Sequence, residues 1–267
     1  MYKMLCLDID GTLLNSRHQI TEQTKAAIAK ATQEKKIPVV LVSARMPKGM
    51  RFLAEELKLD APMICYNGAL TIGYNGKILD DLRIESQYVK EIYLRGKKQG
   101  ASVSLYREDE WYSDEEDAWI RQEEEIVKIQ ATIGDCLPLL AMWGRQGCHK
   151  ILCMGEPTKL IALKKELTEL FGEKLNLSLS KPTYLEIIAK NAAKSVAISA
   201  LIKQYKIDRS ELMVIGDNYN DIDMIRYAGL GIAMGNAPDE VKLQAVAVTL
   251  SNEEDGVAHA IDTYLLC

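Results

Sequence analysis

The sequence predicts an α/β protein: a doubly wound, Rossmann-like core with a parallel sheet, into which an α+β cap domain is inserted. Apolar runs typical of buried strands alternate with helical patterns near both ends of the chain. Between about residues 83 and 188 the pattern changes to short alternating strands, which favours an antiparallel sheet. We therefore predict a discontinuous catalytic core, residues 1–82 and 189–267, and a substrate-specificity cap, residues 83–188.

The first core segment contains three predicted strands and two helices. Thr21 is the expected N-cap of the first helix. Asn67-Gly68 is typical of a turn and ends the third strand. The predicted strands are Met4–Ile9, Val39–Val42 and Met63–Tyr66, and the second helix is Pro47–Leu57.

The elements of the cap and of the second core segment are predicted from the same hydrophobic patterns. A helix is predicted over Pro157–Phe171 among the short cap strands, and the α/β rhythm returns after Ala192. The predicted cap strands are Val103–Tyr106, Lys150–Cys153, Leu175–Leu179 and Leu185–Ile188; the later core elements are a helix Lys194–Tyr205, a strand Leu212–Ile215, a helix from Asn220 and a strand Leu230–Ala233. The acidic stretch 114–125 is interpreted as a solvated helix face, because neighbouring carboxylates on a helix diverge.

Composition narrows the class of protein. The chain has 267 residues, is 48% hydrophobic and carries a net charge of −5, which is ordinary for a globular protein and disfavours nucleic-acid binding. No apolar run is long enough for a membrane span, and no signal peptide is evident, so we expect a soluble cytoplasmic protein. The six cysteines lack disulfide or zinc spacing and are expected to be reduced thiols, among them Cys267. Oligomeric state is left open.

Two acidic motifs each follow a predicted core strand. Asp8 and Asp10 come after the first strand, and Gly11 permits a sharp turn beyond them. One carboxylate could attack phosphorus while the other transfers protons to and from the leaving oxygen and water. Asp217 follows a later strand, and ligands of open parallel sheets bind beyond the carboxyl ends of strands. Asp8, Asp217 and the Asp10 carbonyl therefore suit Mg²⁺, which prefers oxygen ligands.

Further polar residues could complete a phosphate site. Ser43 ends the second strand, where its hydroxyl and the next amide, that of Ala44, could bind phosphoryl oxygens. Lys194 begins a helix, where a cation opposes the helix dipole, which favours an anionic partner. Asn220 and Asp221 are alternatively simple helix caps.

These motifs together resemble the haloacid dehalogenase superfamily, in its Cof-type branch with a large α+β cap (class IIB). The motifs appear in the family's order along the chain: Asp8-Ile9-Asp10-Gly11-Thr12-Leu13-Leu14, Val42-Ser43-Ala44-Arg45, Lys194, and Gly216-Asp217-Asn218-Tyr219-Asn220-Asp221. Sequence segments similar to the family's also occur at residues 66–69, 185–187, 233–237 and 254–257. The resemblance implies a Mg²⁺-dependent phosphatase that hydrolyses small phosphorylated metabolites, such as sugar phosphates, through an aspartyl-phosphate.

The resemblance also implies a role for each motif residue. Asp8 would be the nucleophile and Asp10 the general acid/base, while Asp8, Asp217 and the Asp10 carbonyl hold Mg²⁺. Ser43 and Lys194 would bind the phosphoryl group, with Asn220 touching phosphate. Asp221 would orient Lys194 or a water on the metal, and Gly11 and Arg45 would support their motifs.

The sequence departs from the common family pattern at Ala44 and Ser195, where glycine is more usual, which leaves pocket geometry and rate open. A sugar phosphomutase and a catalytically silent phosphate-binding regulator remain alternatives. The superfamily's ATPases are disfavoured, because they carry Lys-Thr after the nucleophile and so lack an acid/base at the position of Asp10. Candidate cap residues for substrate selection are Arg145, His149, Lys150 and Lys181, each also explicable as a surface or strand-edge residue.

Overall fold

A computed structural model describes residues 2–266 of the chain. These residues form two compact units. Within the described range, the first comprises residues 2–45, 50–79 and 193–266, and the second comprises 46–49 and 80–192. The α/β fold class predicted above is confirmed, whereas the roles of the two units, as catalytic core and substrate-specificity cap, stay a prediction at this point.

The first unit is built around an eight-stranded sheet with strand order β14-β13-β12-β1-β2-β3-β4-β5. β1 lies between β2 and β12, and both pairings are parallel. The sheet is parallel from β14 to β3, and β4 then turns back against β3. The strands are β1 Met4–Leu7, β2 Val39–Val42, β3 Met63–Cys65, β4 Leu70–Ile72, β5 Ile78–Asp81, β12 Leu212–Gly216, β13 Leu230–Ala233 and β14 Ala247–Val248.

Helices cover the sheet because its strands are apolar on both faces. The side chains of Met4 and Cys6 pack with Ile198 and Leu201 in one apolar cluster, while Leu5 and Leu7 alternate to the opposite face and are also buried. The helices are α1 Glu22–Ala29, α2 Lys48–Glu56, α7 Lys194–Gln204, α8 Ile222–Tyr227, α9 Asp239–Lys242 and α10 Gly256–Tyr264. Thr21 caps α1 as predicted, by accepting the Thr24 N–H.

The order in which the chain forms the strands of this sheet indicates where a binding site lies. From β1 the chain moves outward through β2 and β3, then returns to the other side of β1 and moves outward through β12, β13 and β14. The strand order therefore reverses at β1, and such a reversal opens a crevice at the carboxyl ends of the strands.

The second unit contains a six-stranded sheet with order β10-β11-β9-β6-β7-β8. Its pairings are antiparallel except for β7 with β8. One face packs against helices through a cluster that includes Leu105, Ile151 and Leu163. The elements are α3 Ser86–Lys98, β6 Ser102–Arg107, β7 Glu110–Ser113, α4 Ala118–Val127, β8 Thr132–Ile133, α5 Cys136–Met142, β9 Lys150–Met154, α6 Pro157–Phe171, β10 Leu175–Lys181 and β11 Tyr184–Ala189.

The acidic stretch 114–125 differs from its prediction. Asp117 caps α4, and the Asp114 carboxylate accepts hydrogen bonds from the Tyr93 hydroxyl and the Cys136 N–H. The Glu123 side chain is buried, so the solvated face is wrong for that residue. The five described cysteines are buried thiols, and Cys267 lies outside the described residues.

Candidate active site

The loop after β1 is the centre of the candidate site, and we call residues 8–14 the nucleophile loop. Asp8 is buried, and its N–H donates to the Ile215 carbonyl at 3.0 Å, which continues the pairing of β1 with β12. The loop closes through the Leu14 N–H, which donates to the Ile9 carbonyl at 2.9 Å. At Gly11, φ is +85°, and a Cβ there would lie 2.3 Å from Asp217 Oδ2. Only glycine satisfies both conditions.

Lys194 joins this loop to the second acidic motif. It is the first residue of α7, and its side chain is fully buried. Its Nζ donates to Asp8 Oδ1 at 2.5 Å and to Asp221 Oδ1 at 2.6 Å. A buried cation at a helix N-terminus is unfavourable by itself, and the two carboxylates offset both the burial and the helix dipole.

Asp221 is a fully buried carboxylate whose two oxygens are both engaged. Oδ1 accepts from Lys194, while Oδ2 accepts the backbone N–H groups of Asp217 and Asn218 at 2.9 Å each. Asp221 therefore fixes the position of Lys194 and the backbone that carries Asp217.

Asp217 lies opposite Asp8 and is half-buried. The Thr12 hydroxyl donates to Asp217 Oδ1 at 2.8 Å. One carboxylate oxygen from each of Asp8, Asp217 and Asp221 lies within 4.8 Å of the others. The site thus brings three carboxylates against one ammonium group.

This excess of negative charge is visible in the pKa values. Burial and the Asp221 carboxylate raise the pKa of Asp8 well above its ordinary value. The same two causes raise the pKa of Asp217 to about 7. Burial opposes the charged form of Lys194, but the Asp221 and Asp8 carboxylates raise its pKa above the ordinary value. The site therefore gains from an additional positive charge.

Asp10 lies apart from this buried group and pairs with Arg45. The Arg45 guanidinium donates through Nε and a terminal nitrogen to the two Asp10 oxygens, at 2.8 and 2.6 Å. The side chain of Asp10 is about half exposed (50%) and that of Arg45 is 9% exposed. A bidentate contact of this kind fixes both the position and the plane of the carboxylate.

The predicted phosphate-binding residues other than Lys194 lie on two connections of the first unit, after β2 and after β12. Ser43 is buried after β2, and its hydroxyl accepts the Arg45 N–H at 3.2 Å; Ala44 lies between these two residues. Asn220 is exposed, and its amide donates to Asn67 Oδ1 at 3.2 Å. The structure thus groups Asp8, Lys194, Asp217 and Asp221 directly, pairs Asp10 with Arg45, and links Asn220 to Asn67 instead of to that group.

A divalent cation fits the donor set. Asp8 and Asp217 offer hard carboxylate oxygens, the type that Mg²⁺ prefers, and the surrounding charge is negative. The absence of a side chain at Gly11 keeps space open in front of Asp217 Oδ2.

Two contributors to the site had no role in the sequence prediction. Thr12 orients Asp217, and Asn67 holds Asn220. Both lie within motifs that the sequence singled out, but partners 205 and 153 residues away leave no local signal.

The four candidate cap residues differ in their surroundings. His149 is buried between Asp81, 3.0 Å from its Nε2, and the Glu108 N–H, which donates to its Nδ1 at 3.1 Å. Burial lowers the pKa of His149 to about 4. Lys150 is buried over the Tyr106 ring, Lys181 lies over the Tyr184 ring, and Arg145 is exposed. His149 is therefore a neutral structural residue.

None of the helices within residues 2–266 combines the length and the apolar character that a membrane span requires.

Comparison with known proteins defines the class. Residues 5–261 match the family described as haloacid dehalogenase-like hydrolase. A Haemophilus influenzae protein, provisionally named a phosphatase, is 33% identical over 260 residues, covering 97% of this chain and 96% of that protein. The 5-amino-6-(5-phospho-D-ribitylamino)uracil phosphatase YcsE of Bacillus subtilis is 30% identical over 267 residues, covering 99% and 96%. A solved haloacid dehalogenase-like hydrolase from Bacteroides thetaiotaomicron has a TM-score of 0.90 at 31% identity, covering 98% and 99%.

The chain belongs to the haloacid dehalogenase-like hydrolases, and the predicted membership in the Cof-type branch is confirmed. Within that family it is a phosphatase, as the matches over nearly its whole length indicate.

Proposed function

We propose that this phosphatase hydrolyses small phosphorylated metabolites through a covalent intermediate on Asp8, with Mg²⁺ as cofactor. The observation that carries the proposal is the buried contact of Lys194 with both Asp8 and Asp221, beside Asp217. A buried carboxylate next to a fixed cation and a second carboxylate is arranged to receive a phosphoryl group, whose oxygens carry negative charge.

The reaction takes two steps at Asp8. In the first, a carboxylate oxygen of Asp8 bonds to phosphorus while the bond from phosphorus to the leaving oxygen breaks, and Asp10 gives its proton to that oxygen. In the second, water bonds to phosphorus, Asp10 takes a proton from the water, and inorganic phosphate leaves with Asp8 restored.

Lys194 stabilises the charge of the transferring group and keeps Asp8 oriented. Asp221 holds Lys194, and Thr12 holds Asp217. Ser43, the Ala44 amide and Asn220 would contribute phosphate contacts. Asp8, Asp217 and the Asp10 carbonyl would hold Mg²⁺, which supplies charge neutralisation for the phosphoryl oxygens.

Small phosphorylated metabolites are the substrate class that the family supports. YcsE acts, by its name, on a small phosphorylated compound. We assign substrate selection to the second unit, as the cap.

The test compares wild type with Asp8→Asn on a panel of phosphorylated metabolites with Mg²⁺. An amide is not a nucleophile for phosphorus, so turnover should fall at least a hundredfold, roughly 2.7 kcal/mol of barrier. Asp60→Asn, on an exposed residue, is the matched control and should retain activity. More than a tenth of wild-type turnover in Asp8→Asn would contradict the proposal.

A further inference from the structure

The nucleophile loop is tied to a distant part of the chain by two asparagine side chains. Asn236 Nδ2 donates to the Gly11 carbonyl at 2.8 Å, and Asn252 Nδ2 donates to the Leu14 carbonyl at 2.9 Å. The partners are 225 and 238 residues apart in sequence. Asn236 lies in the family-like stretch 233–237, for which neither the sequence prediction nor the proposed mechanism has a use.

The two asparagines are also joined to each other. The Asn252 backbone N–H donates to Asn236 Oδ1 at 3.0 Å, so the Asn236 amide is held at both ends. We call these three hydrogen bonds, with their residues Asn236 and Asn252, the asparagine clamp.

The clamp is anchored to the strand that carries the second acidic motif. The Met234 N–H donates to the Gly216 carbonyl at 3.0 Å, and Gly216 directly precedes Asp217. The Gly235 N–H donates to the Leu250 carbonyl at 2.9 Å, which holds the two asparagine segments together. The clamp therefore connects the nucleophile loop to the backbone segment that carries Asp217.

The contacted carbonyls both follow the reactive residues Asp8 and Asp10 in the chain. Gly11 directly follows Asp10, and Leu14 donates its own N–H to Ile9, directly before Asp10, so the clamp fixes two backbone points that adjoin Asp10 through the chain and through this hydrogen bond. The neighbouring Ser16 N–H also donates to Glu253, at 2.6 Å. Asn236 is exposed and Asn252 half-buried, so each bond contributes little to global stability, and its main effect falls on the loop.

We propose that Asn236 and Asn252 are positioning residues for this phosphatase: by fixing the Gly11 and Leu14 carbonyls they hold Asp10 in place for proton transfer. This inference rests on the proposed function of Asp10, and a loop free to shift by an ångström would lose much of that residue's contribution.

The first measurement is hydrogen–deuterium exchange of a peptide covering residues 8–16, followed by mass spectrometry. Asn236→Ala and Asn252→Ala should each speed exchange of the loop about three- to tenfold, the effect of one lost hydrogen bond. Asn236→Asp, which keeps the acceptor for Asn252 but loses the donor to Gly11, should behave like Asn236→Ala. Asn75→Ala is the matched control, because Asn75 is an exposed asparagine in the turn between β4 and β5.

The second measurement is the rate of the first chemical step with two substrates. In the clamp variants, an alkyl phosphate should lose about tenfold in rate, while p-nitrophenyl phosphate, whose leaving group needs little proton transfer, should lose less than about threefold. KM and the melting temperature should stay close to wild type.

Unchanged loop exchange in both clamp variants would overturn the inference whatever their activity. Equal rate losses for the two substrates, together with a lowered melting temperature, would also overturn it, because that pattern reports general destabilisation. A wild type without phosphatase activity would overturn the proposed function, and loop exchange would then decide on the clamp alone.

Discussion

The contact between Asp10 and Arg45 bears on the proton transfers proposed for Asp10. The bidentate guanidinium holds both Asp10 oxygens, at 2.8 and 2.6 Å, and leaves the carboxylate half exposed, where a leaving group can reach it. Because a guanidinium only donates hydrogen bonds, a carboxylate held at both oxygens is oriented to take up a proton, as the proposed second step requires. For the proposed first step, one Asp10 oxygen must leave Arg45 and carry a proton to the leaving group.

We therefore expect Asp10→Ala to slow the first step with a sugar phosphate about 10²–10⁴-fold, and with p-nitrophenyl phosphate far less. Arg45→Ala should show the same contrast with a smaller loss, since the carboxylate remains but is no longer aimed. Single-turnover bursts with both substrates measure this contrast. Equal losses for both substrates in Asp10→Ala would mean that Asp10 positions the metal and does not transfer a proton.

The carboxylates at the site also make a prediction about metal and pH. Because the pKa of Asp217 is raised to about 7, the metal-free native state binds this proton more tightly than the unfolded state does. Its contribution to stability is therefore present at low pH and lost as pH rises from about 4 through about 7. The proposed Mg²⁺ would replace the proton, so it should stabilise the protein more at higher pH.

Melting temperatures with and without MgCl₂, from pH 5 to pH 8, check this linkage. At saturating Mg²⁺ the gain at pH 7.5 should be about 5 °C larger than at pH 5.5. Asp217→Asn should remove most of the difference between the two pH values. A Mg²⁺ effect that is independent of pH would argue against Asp217 as a metal ligand.

At the scale of elements, two glycines with positive φ differ in whether a side chain would also meet a neighbouring atom. Gly68 and Gly76 flank β4, with φ of +97° and +80°. A Cβ at Gly68 would lie 2.3 Å from the carbonyl oxygen of Ala193, the residue before Lys194, whereas nothing lies within 4 Å of one at Gly76. The connection after β3 thus packs directly on the start of α7.

We expect Gly76→Ala to lower the free energy of unfolding by about 1 kcal/mol, the cost of a left-handed conformation, and Gly68→Ala by about 3 kcal/mol or more. Gly68→Ala should also lower activity, because Lys194 must shift. Urea unfolding must be followed by far-UV circular dichroism, since all three tryptophans lie within 80–192. Equal losses of unfolding free energy in the two variants would show that the start of α7 can move away from a side chain at residue 68 without cost.

Elements with strong local signals were predicted closely. α6 matches its predicted bounds Pro157–Phe171, because a proline at the first position and a long amphipathic pattern mark it, and β2 and β13 match as continuous apolar runs. The β4–β5 hairpin was missed because β5, Ile78–Asp81, is short, polar and partly exposed. Glu123 was misplaced because its burial depends on tertiary packing, which residue type alone does not reveal.

For the whole molecule, the second unit has an apolar core of its own, and we expect residues 80–192 to fold as an isolated fragment. His149 reports on this fold, because burial lowers its pKa to about 4 from an ordinary 6.5. The unfolded fragment binds the proton more readily, so the free energy of unfolding should fall by up to about 3 kcal/mol as pH drops from about 6.5 to about 4.

Nuclear magnetic resonance titration of the His149 ring in the fragment measures this directly, with tryptophan fluorescence following unfolding. In His149→Asn the loss of stability over that pH range should be much smaller. A His149 pKa near 6.5 in the fragment would show that it does not form this fold.

The motif spacing predicted which charged residues lie together at the candidate site better than it predicted the polar residues that hydrogen-bond to them or to their loops. Asp8, Lys194 and Asp217 could be grouped from sequence because each adjoins a predicted strand end or helix start. Thr12, Asn236 and Asn252 could not, since ordinary polar residues acquire their function only from partners more than 200 residues away.

The position of β1 in the middle of the sheet has a consequence for synthesis of the chain. β1 is made well before its partner β12, which begins at Leu212, after the entire second unit. At roughly 5–20 residues per second, the ribosome needs about 10–40 seconds between the two strands. During that interval one backbone edge of an apolar strand has no partner, and such edges template aggregation. The nascent protein is thus most exposed to misassembly, and to chaperone capture, before β12 has been translated.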